Sequence, residues 1–304
     1  MAQGARLEVQ PSHRAVRASV LDGGRRADRS GAVRGVPAGH PAPAGRHRAG
    51  PRHREGTGLD RAEEGGHPAQ PAAVTSPRPL VIAHRGASGY ETENSLAAFR
   101  AAAPRGAHGV ELDIHATTDG ALIVHHDEVV SGRHITRSTG AEIRALRLAN
   151  GEPVPTLDEA LEAIALPLQV FVEVKSLPPQ LDGALFAALE RGPNKGRCAV
   201  HGFDHRIVSR LGLGRPGLPR GVLLSSYQIR PLAVLEDTGA TTLWEEHGMI
   251  DAALVDTVQS AGYRVFAWTV NEDDEMRRLV ALGVDGICTN YPDVARRAVA
   301  AATA

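Results

Sequence analysis

From Leu80 onward the chain alternates short apolar runs with stretches whose apolar residues recur at helical spacing, and this rhythm constrains the fold more than any other feature. The runs fall at 80–84, 109–114, 168–174, 197–201, 221–225, 240–244, 264–269 and 285–289. Helical spacing marks stretches between them, at 94–103, 156–165, 181–191, 204–211, 251–261 and 273–282. Thr156, Asp251 and Asn271 stand as candidate N-caps, and Gly262 and Gly283 as candidate left-handed residues closing two helices. Eight strands alternating with helices over about 225 residues predict a parallel (β/α)8 barrel of the TIM type. An open doubly wound sheet is the other arrangement this rhythm allows, but no glycine-rich dinucleotide fingerprint follows the first run. After the second run the chain reads DGALIVHHDEVVSGRHITRSTG, which predicts a short hairpin-like excursion turning at Asp119-Gly120. It belongs at the C-terminal mouth of the barrel, the face on which such folds hold active sites.

The barrel is expected to occupy residues 77–304. Residues 1–76 are dominated by Ala, Gly, Arg, Pro and His, and every aromatic residue lies at or beyond Tyr90. A segment of that composition buries too little apolar area to offset about 1–2 kcal/mol of lost chain entropy per residue, so it is read as a disordered leader. About twelve arginines face about seven acids there, a charge near +5, which leaves the remainder near −6 in a chain of formal net charge −1. The leader lacks interleaved aromatics and lysines, so nucleic acid is not an expected partner. A solvated tail, or a stretch read through from too early a start, accounts for it.

The first thirty residues contain no apolar run of seven, and no stretch reaches the ~18 apolar residues of a membrane span. Cys198 and Cys288 sit in separate apolar runs without metal-type spacing and are expected as buried thiols. A cytoplasmic enzyme without stable membrane insertion is the resulting expectation.

Chemistry concentrates at three successive strand ends. The first run ends in His84-Arg85-Gly86, a triplet that alone is more often structural than functional. The second ends in Glu111-Leu112-Asp113, where alternation turns both carboxylates to one side and Leu112 to the other. Two acids facing into a barrel repel and desolvate each other at high cost, which favours a cation between them. The excursion supplies His125-His126-Asp127, of which one histidine can readily face the site. The third run ends in Glu173-Val174-Lys175, again an i, i+2 pair, which alone could be an internal salt bridge. Together they point to a divalent cation, an anionic substrate and acid/base groups, the set needed for phosphodiester cleavage.

The ordered motifs HRGASGY, ELDIHATTDGALIVHHD, VPTLDEAL, FVEVK, AWTVN and GVDGICTNYPD resemble the glycerophosphodiester phosphodiesterase family from about Leu80 to about Arg297. The resemblance implies hydrolysis of a small-molecule glycerophosphodiester to glycerol 3-phosphate and an alcohol, with Ca²⁺ or Mg²⁺ as cofactor. It places the paired catalytic histidines at His84 and His126, with His84 favoured as base and His126 as acid. It places the metal carboxylates at Glu111, Asp113 and Glu173. Arg85 and Lys175 match phosphate-contacting positions, Trp268 the pocket aromatic, and Asn94 a Glu-Asn motif. The chain departs from the family at Thr92 (usually Pro), at Gly202 (usually Ser, here preceded by His201) and at Asn290 (often Asp). A lysophospholipase D-type enzyme would use the same residues on lipids and should carry an apolar lip, which the sequence does not make obvious. A catalytically inactive binding barrel should lack a ligand or a histidine, and all are present.

Overall fold

The computed structural model describes residues 79–302; the expected leader at 1–76 lies outside them. β1 (Leu80–His84) and β2 (Gly109–Ala116) precede three short strands of the excursion, β3 (Leu122–Val124), β4 (Val129–Val130) and β5 (Arg133–His134). Then come β6 (Gln169–Ser176), β7 (Cys198–Gly202), β8 (Arg220–Leu224), β9 (Thr242–Glu246), β10 (Arg264–Trp268) and β11 (Gly286–Thr289). The parallel order runs β1, β11, β10, β9, β8, β7, β6, β2, and β2 returns to β1, so eight strands close the predicted barrel.

Burial on both faces explains why these strands read as apolar runs. Outward residues such as Val110, Leu112, Val172 and Val200 pack beneath one group of helices, and Val222, Leu243, Val265 and Ile287 beneath another. Inward residues Leu80, Ile82, Phe171, Leu223, Trp244, Phe266 and Cys288 fill the barrel. Phe171, Trp244 and Phe266 meet edge to face with centroids 5.0 to 5.7 Å apart, contacts worth about 0.5–1.5 kcal/mol each beyond area burial. Three glycines make room for them. A Cβ on Gly109, Gly221 or Gly286 would stand 2.8, 2.6 or 2.8 Å from the ring of Phe171, Trp244 or Phe266. This aromatic plug fills the N-terminal part of the interior and leaves the C-terminal ends to the charged residues.

The helices are α1 (Leu96–Ala102), α2 (Gly140–Arg144), α3 (Leu157–Ala163), α4 (Asp182–Arg191), α5 (His205–Gly214), α6 (Pro231–Thr238), α7 (Ala252–Ser260), α8 (Asp273–Leu282) and α9 (Pro292–Ala302). Of these, α2, α6 and α9 fall outside the helical stretches read from the sequence. Thr156 caps α3 in a reciprocal capping box with Glu159, and Asp251 caps α7 through the Leu254 N–H. Asn271 does not cap α8. The cap residue is Glu272, while the Asn271 carbonyl oxygen accepts from the Asn290 N–H and the Thr289 hydroxyl. Gly262 and Gly283 take the expected left-handed conformation.

The excursion is confirmed in kind: β3 pairs antiparallel with the end of β2 across a turn in which Gly120 has φ 84°. It carries a small core of its own, Ile123, Val130, Ile135, Ile143 and Val154, which gives the segment bearing His125 and His126 a packed base.

Candidate active site

The ends of β1, β2, β6 and β7 lie side by side, with His84 opposite Glu111, Asp113 opposite Glu173, and Glu173 opposite His201. The carboxylates of Glu111, Asp113 and Glu173 are all buried there, while Leu112 packs outward as the alternation requires.

Asp113 accepts a hydrogen bond from Asn94 Nδ2 at 2.8 Å and is ion-paired with Arg85 Nε at 3.2 Å and Lys175 Nζ at 3.2 Å. Burial alone would raise its pKa, but Lys175, Arg85 and the Asn94 amide outweigh burial and hold the carboxyl well below the usual range. Glu111 and Glu173 lack that surplus of positive charge. Burial, then the Asp113 and Glu173 charges, push Glu111 well above the ordinary carboxylate value. Burial and Asp113 push Glu173 up to about 7, although Lys175 Nζ lies 2.6 Å from it. Two buried carboxyls driven towards protonation beside a third are relieved by a cation. The donor atoms are placed for one, because those of Glu111, Glu173 and His201 all lie within 4.8 Å of one another. The residues therefore fit a divalent ion.

His84 is neutral at pH 7, because burial and then the Arg85 charge lower it to about 4. Its Nδ1 donates to Asn290 Oδ1 at 2.7 Å, which leaves the Nε2 lone pair free to accept a proton; the Thr269 hydroxyl lies 3.5 Å from Nε2. His126 sits half-exposed at the mouth, its Nδ1 2.8 Å from Asp127 Oδ1, and a charge on it acts on both His84 and Asp113. His125 instead turns its Nδ1 to the Asp127 backbone carbonyl at 2.9 Å.

Arg85 has φ 55°, its backbone N–H donates to Glu111 Oε2, and its guanidinium spans Glu93 and Asp113. Gly86 follows where the loop passes close to α1. At φ 80°, a Cβ there would stand 2.6 Å from the Ala98 carbonyl carbon, so the glycine serves close packing of the loop on α1. Trp268 ends β10 and meets Phe203 edge to face at 5.5 Å, and the Phe203 ring centre lies 5.9 Å from Lys175 Nζ.

Two site residues escaped the sequence reading except as departures from a pattern. Asn290 fixes the tautomer of His84 from 206 positions away. His201 lies inside the barrel, stacked on Trp244 at 4.3 Å, with its Nε2 3.8 Å from Glu111 Oε1. Alternation along β7 was the signal that could have found it.

The model of the glycerophosphoryl diester phosphodiesterase family matches residues 84–294. A glycerophosphodiester phosphodiesterase of Caldanaerobacter subterraneus is 34% identical over 230 residues, covering 70% of this chain and 95% of that protein. One of Bacillus subtilis is 29% identical over 249 residues, covering 71% and 85%. Among solved structures, a glycerophosphodiester phosphodiesterase from Parabacteroides distasonis superposes with a TM-score of 0.69 at 25% identity, covering 75% of this chain and 99% of that one. An Oleispira antarctica phosphodiesterase in complex with the product sn-glycerol-3-phosphate gives 0.68 at 26% identity, covering 73% and 97%. The match begins at the histidine that ends β1 and runs past the asparagine that orients it, taking in every strand end of the acidic mouth: the chain belongs to the glycerophosphoryl diester phosphodiesterase family.

Proposed function

We propose that this chain is a divalent-metal-dependent glycerophosphodiester phosphodiesterase that releases glycerol 3-phosphate and an alcohol. The observation that carries the reading is the meeting, at one barrel mouth, of a neutral His84 with a fixed tautomer, three buried carboxylates and two cationic side chains. Glu111, Asp113 and Glu173 are the carboxylates that hold the ion, Ca²⁺ or Mg²⁺ being the ions that oxygen donors suit. Such an ion supplies charge stabilisation to phosphoryl oxygens. Arg85 and Lys175 add fixed positive charge where the phosphoryl group gathers negative charge in the transition state. His84 Nε2 takes the proton of the attacking hydroxyl, either water or a neighbouring glycerol hydroxyl. His126, held by Asp127, protonates the departing alkoxide, and Trp268 lines the pocket.

Assays of glycerol 3-phosphate release from glycerophosphocholine and glycerophosphoethanolamine, with and without EDTA, test this reading. Release that stops in EDTA and returns with added ion is expected. No release from either substrate refutes the reaction, and full turnover in excess EDTA with substoichiometric metal refutes the cation.

A second reading concerns the leaving group. Phe203 after β7, Tyr227 and Ile229 after β8 and Met249 after β9 are exposed at the mouth, Ile229 at 99%. Such an apolar lip favours lysophospholipids, the lysophospholipase D-type reaction, and a higher kcat/KM on lysophosphatidylcholine than on glycerophosphocholine would establish it. Among the described residues no helix is long and apolar enough to cross a membrane.

A further inference from the structure

The cation site proposed above rests on carboxylates, but one inward side chain of β7 does not fit an all-oxygen site. His201 is 2% exposed, faces the acidic cluster and stacks flat on Trp244 with 5° between the ring planes, so its in-plane lone pair is aimed by packing. Its Nε2 stands 3.8 Å from Glu111 Oε1, too long for a hydrogen bond. Donors about 2.0–2.2 Å from a shared ion lie about 3–4 Å from each other, and this pair falls in that range. Glu173 is its neighbour in the β6–β7 register, and one donor atom from each of Glu111, Glu173 and His201 fits within a 4.8 Å span.

We propose that His201 is a direct ligand of the catalytic cation, making this a mixed imidazole–carboxylate site that selects a transition ion such as Zn²⁺ or Mn²⁺ over Ca²⁺. The inference rests on the cation-dependent reaction proposed above and adds the nitrogen donor. Imidazole nitrogen is a softer donor than carboxylate oxygen and suits first-row transition ions, whereas Ca²⁺ and Mg²⁺ prefer oxygen.

The test uses the full chain stripped of metal. Calorimetric titrations with Zn²⁺, Mn²⁺ and Ca²⁺ measure affinity, and electron spin-echo modulation of bound Mn²⁺ reports any directly coordinated ¹⁴N. Zn²⁺ and Mn²⁺ should bind more tightly than Ca²⁺, and bound Mn²⁺ should show ¹⁴N modulation. His201→Gln should abolish the modulation and weaken Zn²⁺ by at least about tenfold, the scale seen even for residues that only support a ligand, while leaving Ca²⁺ binding nearly unchanged. His84→Gln should keep the modulation. Should His201→Gln fail to fold by near-ultraviolet circular dichroism, His201→Asn takes its place, and the wild-type modulation and Zn²⁺ preference still decide. Absent ¹⁴N modulation in the wild type, or equal losses of Zn²⁺ and Ca²⁺ in the variant, overturns the nitrogen ligand while leaving a carboxylate site intact. Failure of these three ions and of Mg²⁺, titrated alongside, to bind the wild type overturns the cation-dependent reaction itself.

Discussion

Glu245 is buried outside the barrel wall, one residue past the inward Trp244, in the layer where Leu243 meets the helices. Neither of its carboxylate oxygens has a hydrogen-bond partner among the described residues, and burial pushes its pKa up to about 7. A carboxyl that binds its proton more tightly folded than unfolded favours the native state at low pH. That advantage is lost as pH rises from the ordinary carboxylate value towards 7, and above 7 the loss is complete. With 1.36 kcal/mol per pH unit of displacement, ionised Glu245 opposes folding by about 3 kcal/mol at pH 8, of which about 2.5 kcal/mol develops between pH 5 and pH 8. Glu245→Gln removes the titrating group without changing its shape. Thermal unfolding of wild type and variant at both pH values should show the variant gaining about 5–10 °C on the wild type between pH 5 and pH 8, at 2–4 °C per kcal/mol for a domain of this size. Comparing the two proteins cancels the titration of Glu173 and the histidines. Parallel melting curves across the pH range would refute the reasoning, because they would mean that Glu245 finds a partner or water when it ionises.

A p-nitrophenyl phosphodiester departs without protonation, so His126→Ala should lose far more rate on glycerophosphocholine than on the activated ester, whereas His84→Ala should lose about 10²–10⁴-fold on both. Opposite behaviour would exchange the roles, and a His125→Ala variant as damaged as His126→Ala would contradict the orientation of the excursion. Gly221→Ala should destabilise the barrel by about 1–3 kcal/mol, read as a lower urea midpoint, because its methyl meets the Trp244 ring; an unchanged midpoint would show that the plug yields. Deleting residues 1–76 should leave melting temperature and kcat/KM unchanged, and a fall in either would show that the leader packs on the barrel.

The eight strands were legible because burial on both faces forces continuous apolar runs, and the pairs Glu111/Asp113 and Glu173/Lys175 were legible because alternation is a local rule. What local rules cannot give is the neighbour across the barrel. His201 meets Glu111 only because the sheet curves across the intervening β6, and Asn290 reaches His84 only because β11 returns to β1. Asn271 shows the same limit from the other side. Its local pattern suits a helix cap, but donors from the last residue of β11 and the one after it claim its side chain. Exposure was also hidden, since Ile229 is as apolar as any core residue and only the folded chain shows that none of the described residues covers it.

The aromatic plug has a kinetic consequence. Phe171, Trp244 and Phe266 fill the interior below the acidic cluster and, among the described residues, close it off from the N-terminal end of the barrel. In the proposed reaction, a phosphodiester enters and both fragments depart through the same opening. A fragment still seated against Arg85 and Lys175 then bars the next diester. Added glycerol 3-phosphate would act as a competitive inhibitor, raising apparent KM without lowering kcat, whereas slow departure of the product formed in place would itself cap kcat, a cap that loops at the mouth can tune independently of the chemistry beneath them.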